Sequence, residues 1–256
     1  MSSYEKIATI FFICFLITFS AKAQDSSDID INSSNLYSEA RYHYYLKTIL
    51  LFNEYLDTDN GSFNTTELRF LHPIGNKAWN LRVDLPLVSS NTSSINKTGI
   101  GDIGVGVSYI PYLEQKNGGI AFRARVLSNS AADPALGSGK WVFAPAVFFG
   151  KYLIPNKLLW ITSLENQSSF AGSSNRNDIN TTAFENYFMY IIGKNWIAAD
   201  AAFRHNAINK GFPNNAFVEF GRKITKNDMA YVHPSIAFGA YKTYNFGIEV
   251  GMLILF

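Results

Sequence analysis

From Phe246 to Phe256 every second residue is large and apolar: Phe246, Ile248, Val250, Met252, Ile254 and Phe256. The other face carries Asn245, Gly247, Glu249, Gly251, Leu253 and Leu255, and reads as small or polar. Successive side chains of a strand point to opposite faces, so the segment is a strand with one wholly apolar side. A lipid-exposed barrel wall requires that pattern. A half-buried strand of a soluble sandwich also accommodates it.

The pattern recurs along the chain. Trp79, Leu81, Val83, Leu85 and Leu87 alternate with Asn80, Arg82, Asp84 and Pro86. Ile120, Phe122, Ala124 and Val126 alternate with Ala121, Arg123 and Arg125, and Ile197 to Arg204 behaves likewise. The longest apolar run, Trp141 to Phe149, has nine residues and contains Pro145, so no helix of spanning length is available. Charged residues make up 16%, against about 25% in soluble domains. In hydrocarbon every backbone N–H and C=O must be paired within the protein, which leaves a closed barrel as the membrane solution. The expectation is an all-β fold, a transmembrane antiparallel β-barrel of about 12 strands, outer-membrane type, over residues 47–256.

Its strands are placed at 47–56, 64–72, 78–88, 100–111, 119–129, 140–153, 157–169, 180–192, 195–206, 214–224, 229–241 and 244–256. Connections then alternate. Those at 57–63, 89–99, 130–139, 170–179 and 207–213 are long and polar, whereas those at 73–77, 112–118, 154–156, 193–194 and 225–228 are short. Long loops on one rim and tight turns on the other suit an outer-membrane barrel. The last hairpin, at Lys242-Thr243, breaks the rule by being short. The first strand has a rival, because 38–52 also reads as an amphipathic helix, which would leave eleven strands.

The first 23 residues read as a secretory signal peptide. Lys6 precedes an apolar stretch from Ile7 to Phe19, and Ala21-Lys22-Ala23 supplies the cleavage pattern. An uncleaved anchor is disfavoured because the apolar core is shorter than the roughly 20 residues needed to span. Residues 24–46, with Tyr37, Tyr42, Tyr44 and Tyr45, form a periplasmic tail or a lumenal plug. The single Cys14 lies in the leader, so the mature chain has no disulfide, thiolate nucleophile or cysteine metal site. The N-x-S/T sequons at Asn32, Asn64, Asn91, Asn96, Asn166 and Asn180 are read as turn composition.

A barrel of this kind turns its ionisable groups to the lumen. The expected lumen-lining set is Glu67, Arg69, Arg82, Asp84, Asp102, Arg123, Arg125, Glu165, Glu185, Asp200, Arg204, Glu219, His233 and Glu249, with Lys223 beside them. Twelve strands at about 4.8 Å spacing and about 40° tilt give a cylinder roughly 25 Å across. Opposed arginines and carboxylates then either set the selectivity of a narrow pore or pair across and fill it. Small inward residues such as Gly104, Gly106, Ala144, Ala198 and Gly239 favour the pore. Net charge +2 with no basic run argues against nucleic acid, and no cofactor or metal motif is present. A lipid-modifying enzyme (deacylase or phospholipase type) needs a His base beside a Ser nucleophile at the lipid-facing outer rim. Only His205 has the required rim and parity, and its neighbours supply no Ser. A closed structural barrel is the remaining alternative, and its Ser/Asn/Gly-rich loops, short of aromatics, suit protein binding poorly.

The last strand resembles the C-terminal signal read by the outer-membrane assembly machinery, carried by Ile248, Val250, Met252, Ile254 and Phe256. Further motifs follow in order: Gly101-Asp102 opening a strand, Gly137-Ser138-Gly139-Lys140-Trp141 with Pro145, then Ser169-Phe170-Ala171-Gly172 before Arg176, Asp178 and Asn180, and Trp196. From about Leu51 to Phe256 this order is similar to the outer-membrane barrels labelled "transporter" or meta-pathway phenol-degradation proteins. The resemblance implies a barrel with a channel role, lipid and the assembly machinery as partners, and small hydrophobic or aromatic compounds as the solutes its label suggests.

Overall fold

A computed structural model describes residues 47–256, apart from 76–77, 93, 95, 115–116 and 226. The expected leader (1–23) and the 24–46 tail or plug lie outside the described residues.

Thirteen strands are present among the described residues: β1 (Thr48–Thr58), β2 (Gly61–Ile74), β3 (Trp79–Thr92), β4 (Asn96–Ile100), β5 (Gly104–Glu114), β6 (Gly118–Leu127), β7 (Lys140–Ile154), β8 (Leu158–Gly172), β9 (Asn180–Ile192), β10 (Asn195–Asn206), β11 (Asn214–Lys223), β12 (Asp228–Phe238) and β13 (Phe246–Leu255). Each pairs antiparallel with its sequence neighbour, except that β4 and β5 share β3 as partner. They are one stave interrupted at 101–103, so the wall has twelve staves. β1 pairs with β13 from Thr48↔Leu255 to Asp57↔Phe246 and with β2 on its other edge, which closes the cylinder. The helix alternative for the first segment is thereby excluded over Thr48–Phe52.

The terminal rim, which carries Lys47 and Phe256, has the tight connections the sequence indicates. The loop rim differs in three places. Residues 57–63 are strand except for a two-residue turn at Asp59-Asn60, and Gly61, with φ 135°, opens β2. Residues 89–99 are largely a hairpin extension of β3 and β4. The final connection is the seven residues 239–245 rather than a tight Lys242-Thr243 turn, because β12 ends at Phe238. Polar Ser, Asn and Thr side chains in the first two segments read as loop composition, yet these strands project beyond the apolar band, where both faces are wet.

The outer surface is apolar all round. Leu85, Val105, Phe122, Phe143, Phe188, Ile197, Val218 and Val250 each point outward and are exposed. Aromatic clusters mark both ends of this band. Trp79 sits 4.5 Å from Tyr109, and Trp160 packs between Phe149 and Phe188, toward the terminal rim. Trp141 meets Phe170, and Phe203 meets Phe238, toward the loop rim. An apolar belt between aromatic girdles is the surface of a membrane-spanning barrel, since no soluble monomer keeps so continuous an oily exterior.

Candidate functional site

Inward side chains sort into distinct regions. The first is an ionic band on the inner wall of β2, β3, β6 and β8. Asp84 is its centre. Arg82 donates its Nε–H to both carboxylate oxygens, at 2.9 and 2.8 Å, and Arg69 donates from Nε at 2.9 Å. Arg69 also reaches Glu67 at 2.7 Å. Across β5, Arg125 lies 3.6 Å from Asp84 and 3.9 Å from Glu165, and Arg123 pairs directly with Glu165. Gln167 donates to the same carboxylate at 2.6 Å. The glycines of β5 make this possible: a Cβ on Gly104 would meet Asp84 Oδ2 at 3.0 Å, and one on Gly106 would press on the Arg125 stem at 3.3 Å. Four guanidinium groups face three carboxylates. Desolvating such charges is expensive unless each finds partners, and the shared Asp84 supplies several at once.

The second region is a buried triad on adjacent strands β11, β12 and β13. His233 stands between two carboxylates, with Nδ1 3.5 Å from Glu219 and Nε2 3.5 Å from Glu249. Trp196 Nε1 donates to Glu219 at 2.6 Å and the Tyr187 hydroxyl at 3.3 Å, while the Tyr231 hydroxyl donates to Glu249 at 2.7 Å. The imidazole is stacked against Phe217 at 4.4 Å and Tyr231 at 5.8 Å. Two glycines let the aromatic rings lie flat on the wall. Trp196 covers Gly221, its cross-strand neighbour, and Tyr231 covers Gly251.

Around the triad runs an inward apolar arc: Leu50 and Phe52 of β1, Leu159 and Ile161 of β8, Met189 and Ile191 of β9, Met229 of β12, and Leu253 and Leu255 of β13. The small-or-polar inner face expected for the last strand therefore holds only as far as Gly251, since Leu253 and Leu255 are buried inside. Its sequence signal was present. Segments Ile49–Phe52, Tyr187–Ile192 and Met252–Phe256 are apolar on both faces, which a strand between lipid and water would not be.

Of the remaining expected residues, Glu185 and Arg204 pair at 3.2 Å on β9 and β10, and Asp200 is buried on the inner face of β10. Lys223 ends β11 at the terminal rim. Asp102 lies at an interruption of the wall. It sits in the break between β4 and β5, where its carboxylate accepts from Ala131 N (3.1 Å), Ser138 N (2.6 Å) and the Ser138 hydroxyl (2.8 Å). The strand is interrupted there, and the carboxylate is engaged by the 131–138 segment.

Asp102 thereby anchors a knot at the loop rim. Arg176 donates to the carbonyl oxygens of Gly137 (3.0 Å) and Pro134, Lys140 pairs with Asp178 at 2.7 Å, and Lys97 pairs with Asp133. The scattered motifs Gly101-Asp102, Gly137 to Lys140, Arg176 and Asp178 are thus one hydrogen-bonded unit. The hydrogen bond from Lys140 holds the Asp178 carboxyl below the usual aspartate range, and that from Lys97 does the same to Asp133. His205 is exposed at the same rim, and its ring lies 5.4 Å from that of Phe212. The outward apolar residues of β13, Ile248, Val250, Met252 and Ile254, precede an exposed Phe256 that receives Lys47 over its ring at 5.3 Å.

No family model matches the sequence, and no curated protein matches it. Solved structures do. The chain is similar to the COG4313 outer-membrane channel from Pseudomonas putida F1, at 13% identity over 82% of this chain and 96% of that one, with a TM-score of 0.68. A KdgM porin in complex with disordered oligogalacturonate aligns at 13% identity over 82% and 99%, TM-score 0.57. The β domain of the Bordetella autotransporter Brka aligns at 11% identity over 82% and 99%, TM-score 0.51. At such identities what is shared is the fold: a closed antiparallel barrel of twelve staves, of the kind found in bacterial outer membranes.

Proposed function

We propose that this chain is a channel of the bacterial outer membrane that passes small solutes, with selectivity set by the ionic band. The observation that carries the reading is a partial exposure inside a closed wall. Although they face inward, the side chains of Glu67, Arg69, Arg123, Arg125 and Glu165 keep between 9% and 16% of their surface accessible. Charges wetted from within an oil-coated cylinder line a passage better than they serve as filler. The apolar arc supports small hydrophobic or aromatic compounds as solutes, in keeping with the phenol-degradation resemblance. The apolar outer face of β13 suits docking to the barrel-assembly machinery on the way into the membrane.

Purified protein in planar bilayers should give discrete single-channel openings. Replacing Arg123 and Arg125 by Ala removes two of the band's four cations and should move the reversal potential toward cation preference. A barrel that neither conducts nor swells liposomes would overturn the channel in favour of a closed structural barrel. The lipid-modifying alternative makes its own demand, a changed acyl pattern in membranes carrying His205→Ala, and the present reading expects none.

A further inference from the structure

Beside the ionic band the inner wall carries polar atoms without partners. Asn80 is completely buried, and neither its amide nitrogen nor its carbonyl oxygen makes a hydrogen bond. Ser108, its cross-strand neighbour on β5, is 2% exposed with an unpartnered hydroxyl. One step along the same strands, Arg82 and Arg125 flank Gly106. Arg125 is the least committed cation of the band: its Nε makes no hydrogen bond, and its two carboxylate neighbours stand at 3.6 and 3.9 Å. An unmade hydrogen bond at a buried group is costly, and three adjacent residues share that burden here. Evenly spaced fillers of a closed lumen would be expected to pair with one another, as Arg69, Arg82 and Asp84 do.

We propose that Asn80, Ser108, Arg82 and Arg125 form a subsite for a small organic carboxylate with an apolar body. The proposal rests on the channel reading for how such a solute arrives, and it narrows the solute to one class. The donors present are the Asn80 amide, the Ser108 hydroxyl and the Arg125 guanidinium, set at neighbouring positions of β3, β5 and β6. The charge balance agrees, because four guanidinium groups against three carboxylates leave one cation for a ligand to neutralise. A neutral solute would leave that surplus uncompensated. The apolar body follows from what adjoins the band. Arg123 already lies over the Phe148 ring at 4.8 Å and Arg69 over Phe52 at 5.3 Å, so aromatic surface adjoins the charged wall in two places. Phe52 belongs to the apolar arc, and Leu159 and Ile161 extend that arc along β8. On β8 the inner face passes from Glu165 to Ile161 and Leu159 toward the terminal rim, so the body of a solute whose carboxylate engages Arg125 meets hydrocarbon on that side.

The test uses the full-length mature barrel in detergent and titrates benzoate, acetate and benzyl alcohol by calorimetry. Benzoate should bind saturably. Acetate lacks the apolar body and benzyl alcohol lacks the charge, so each should bind at least tenfold more weakly. Arg125→Gln and Asn80→Leu should each weaken benzoate roughly tenfold, the range expected when a charge-assisted hydrogen bond or a buried polar partner is lost. Arg222→Gln, on the outer wall, serves as the control and should change nothing. Should either lumenal variant fail to fold, Ser108→Ala provides the same reading with a smaller change. Equal affinity for benzoate and acetate would overturn the apolar body, equal affinity for benzyl alcohol would overturn the anion site, and no binding of benzoate would overturn the subsite altogether. Binding is measured without conductance, so a barrel that binds benzoate but does not conduct separates failure of the channel reading from failure of this one.

Discussion

Gly221→Ala should be far more damaging than adding one methyl group suggests. Gly221 is not among the positive-φ glycines, so alanine meets no backbone strain there. In an open strand the change would gain about 0.5–1 kcal/mol from reduced chain entropy. The obstacle is the Trp196 ring, for an added Cβ would fall 1.9 Å from both Cε2 and Cζ2. The indole is 2% exposed and fastened through Nε1 to Glu219 at 2.6 Å, so it can yield only by breaking that bond. Overpacking costs about 1–3 kcal/mol, and a hydrogen bond to a charged group is worth about 1.5–3, so the expected loss is roughly 3–5 kcal/mol. Urea titration of the barrel refolded into vesicles, read by the mobility shift of unheated samples on a gel, measures it. The same substitution in a Trp196→Ala background should be neutral or slightly stabilising, because the ring is gone. An equal cost in both backgrounds would refute the steric argument, as would no cost in either.

Three further outcomes follow from the geometry. Asp84→Asn removes the carboxylate shared by Arg69, Arg82 and Arg125 and should destabilise by about 3–5 kcal/mol in the same urea assay, whereas a change below about 0.5 kcal/mol would show that the band is not coupled through it. Asp102→Ala leaves the amides of Ala131 and Ser138 without their acceptor, so limited proteolysis should cut within 128–139 while the strands stay protected. The Lys140–Asp178 and Lys97–Asp133 pairs lower the carboxyl pKa on folding, so their contribution is complete above the ordinary aspartate value of about 3.9 and is lost as pH falls through the depressed one. Protease susceptibility of the loop rim should therefore be flat from neutral pH to about 5 and rise only in stronger acid, and a rise between pH 7 and 6 would contradict it.

Period-2 alternation proved sufficient for the wall itself. On β3 the alternation is unbroken from Trp79 to Leu87, and one slip of register would turn Arg82 and Asp84 into lipid. The ionic band was legible for the same reason: Arg82 and Asp84, or Arg123 and Arg125, lie two apart, so a shared face follows from parity alone. What parity does not carry is which inward charges meet. Asp84 meets Arg125 across β5 only because Gly104 and Gly106 leave the space. Loop lengths misled where strands outrun the apolar band, as in Asp57 to Phe63, because hydrophobicity marks the oil layer and not the end of hydrogen bonding. The partners of Asp102 were not legible for a related reason, since alternation presumes an unbroken ladder and the chain leaves it at 101–103. The inward leucines of β13 were overlooked because a face reading small and polar at Gly247 to Gly251 was extended to its end.

The seam between β1 and β13 bears on how the molecule is made. Ten residue pairs join segments nearly two hundred positions apart, and every other ladder in the wall is local. Neighbouring hairpins can zip as they emerge, but the cylinder is not sealed until its first and last staves find each other. Until then two long rows of unsatisfied amides and carbonyls stay open to any passing strand, a standing invitation to aggregate. The slow, hazardous event in this chain's biogenesis is thus a single ring-closing encounter, and substitutions along Thr48 to Asp57 should trap it as an open sheet more readily than equal insults elsewhere.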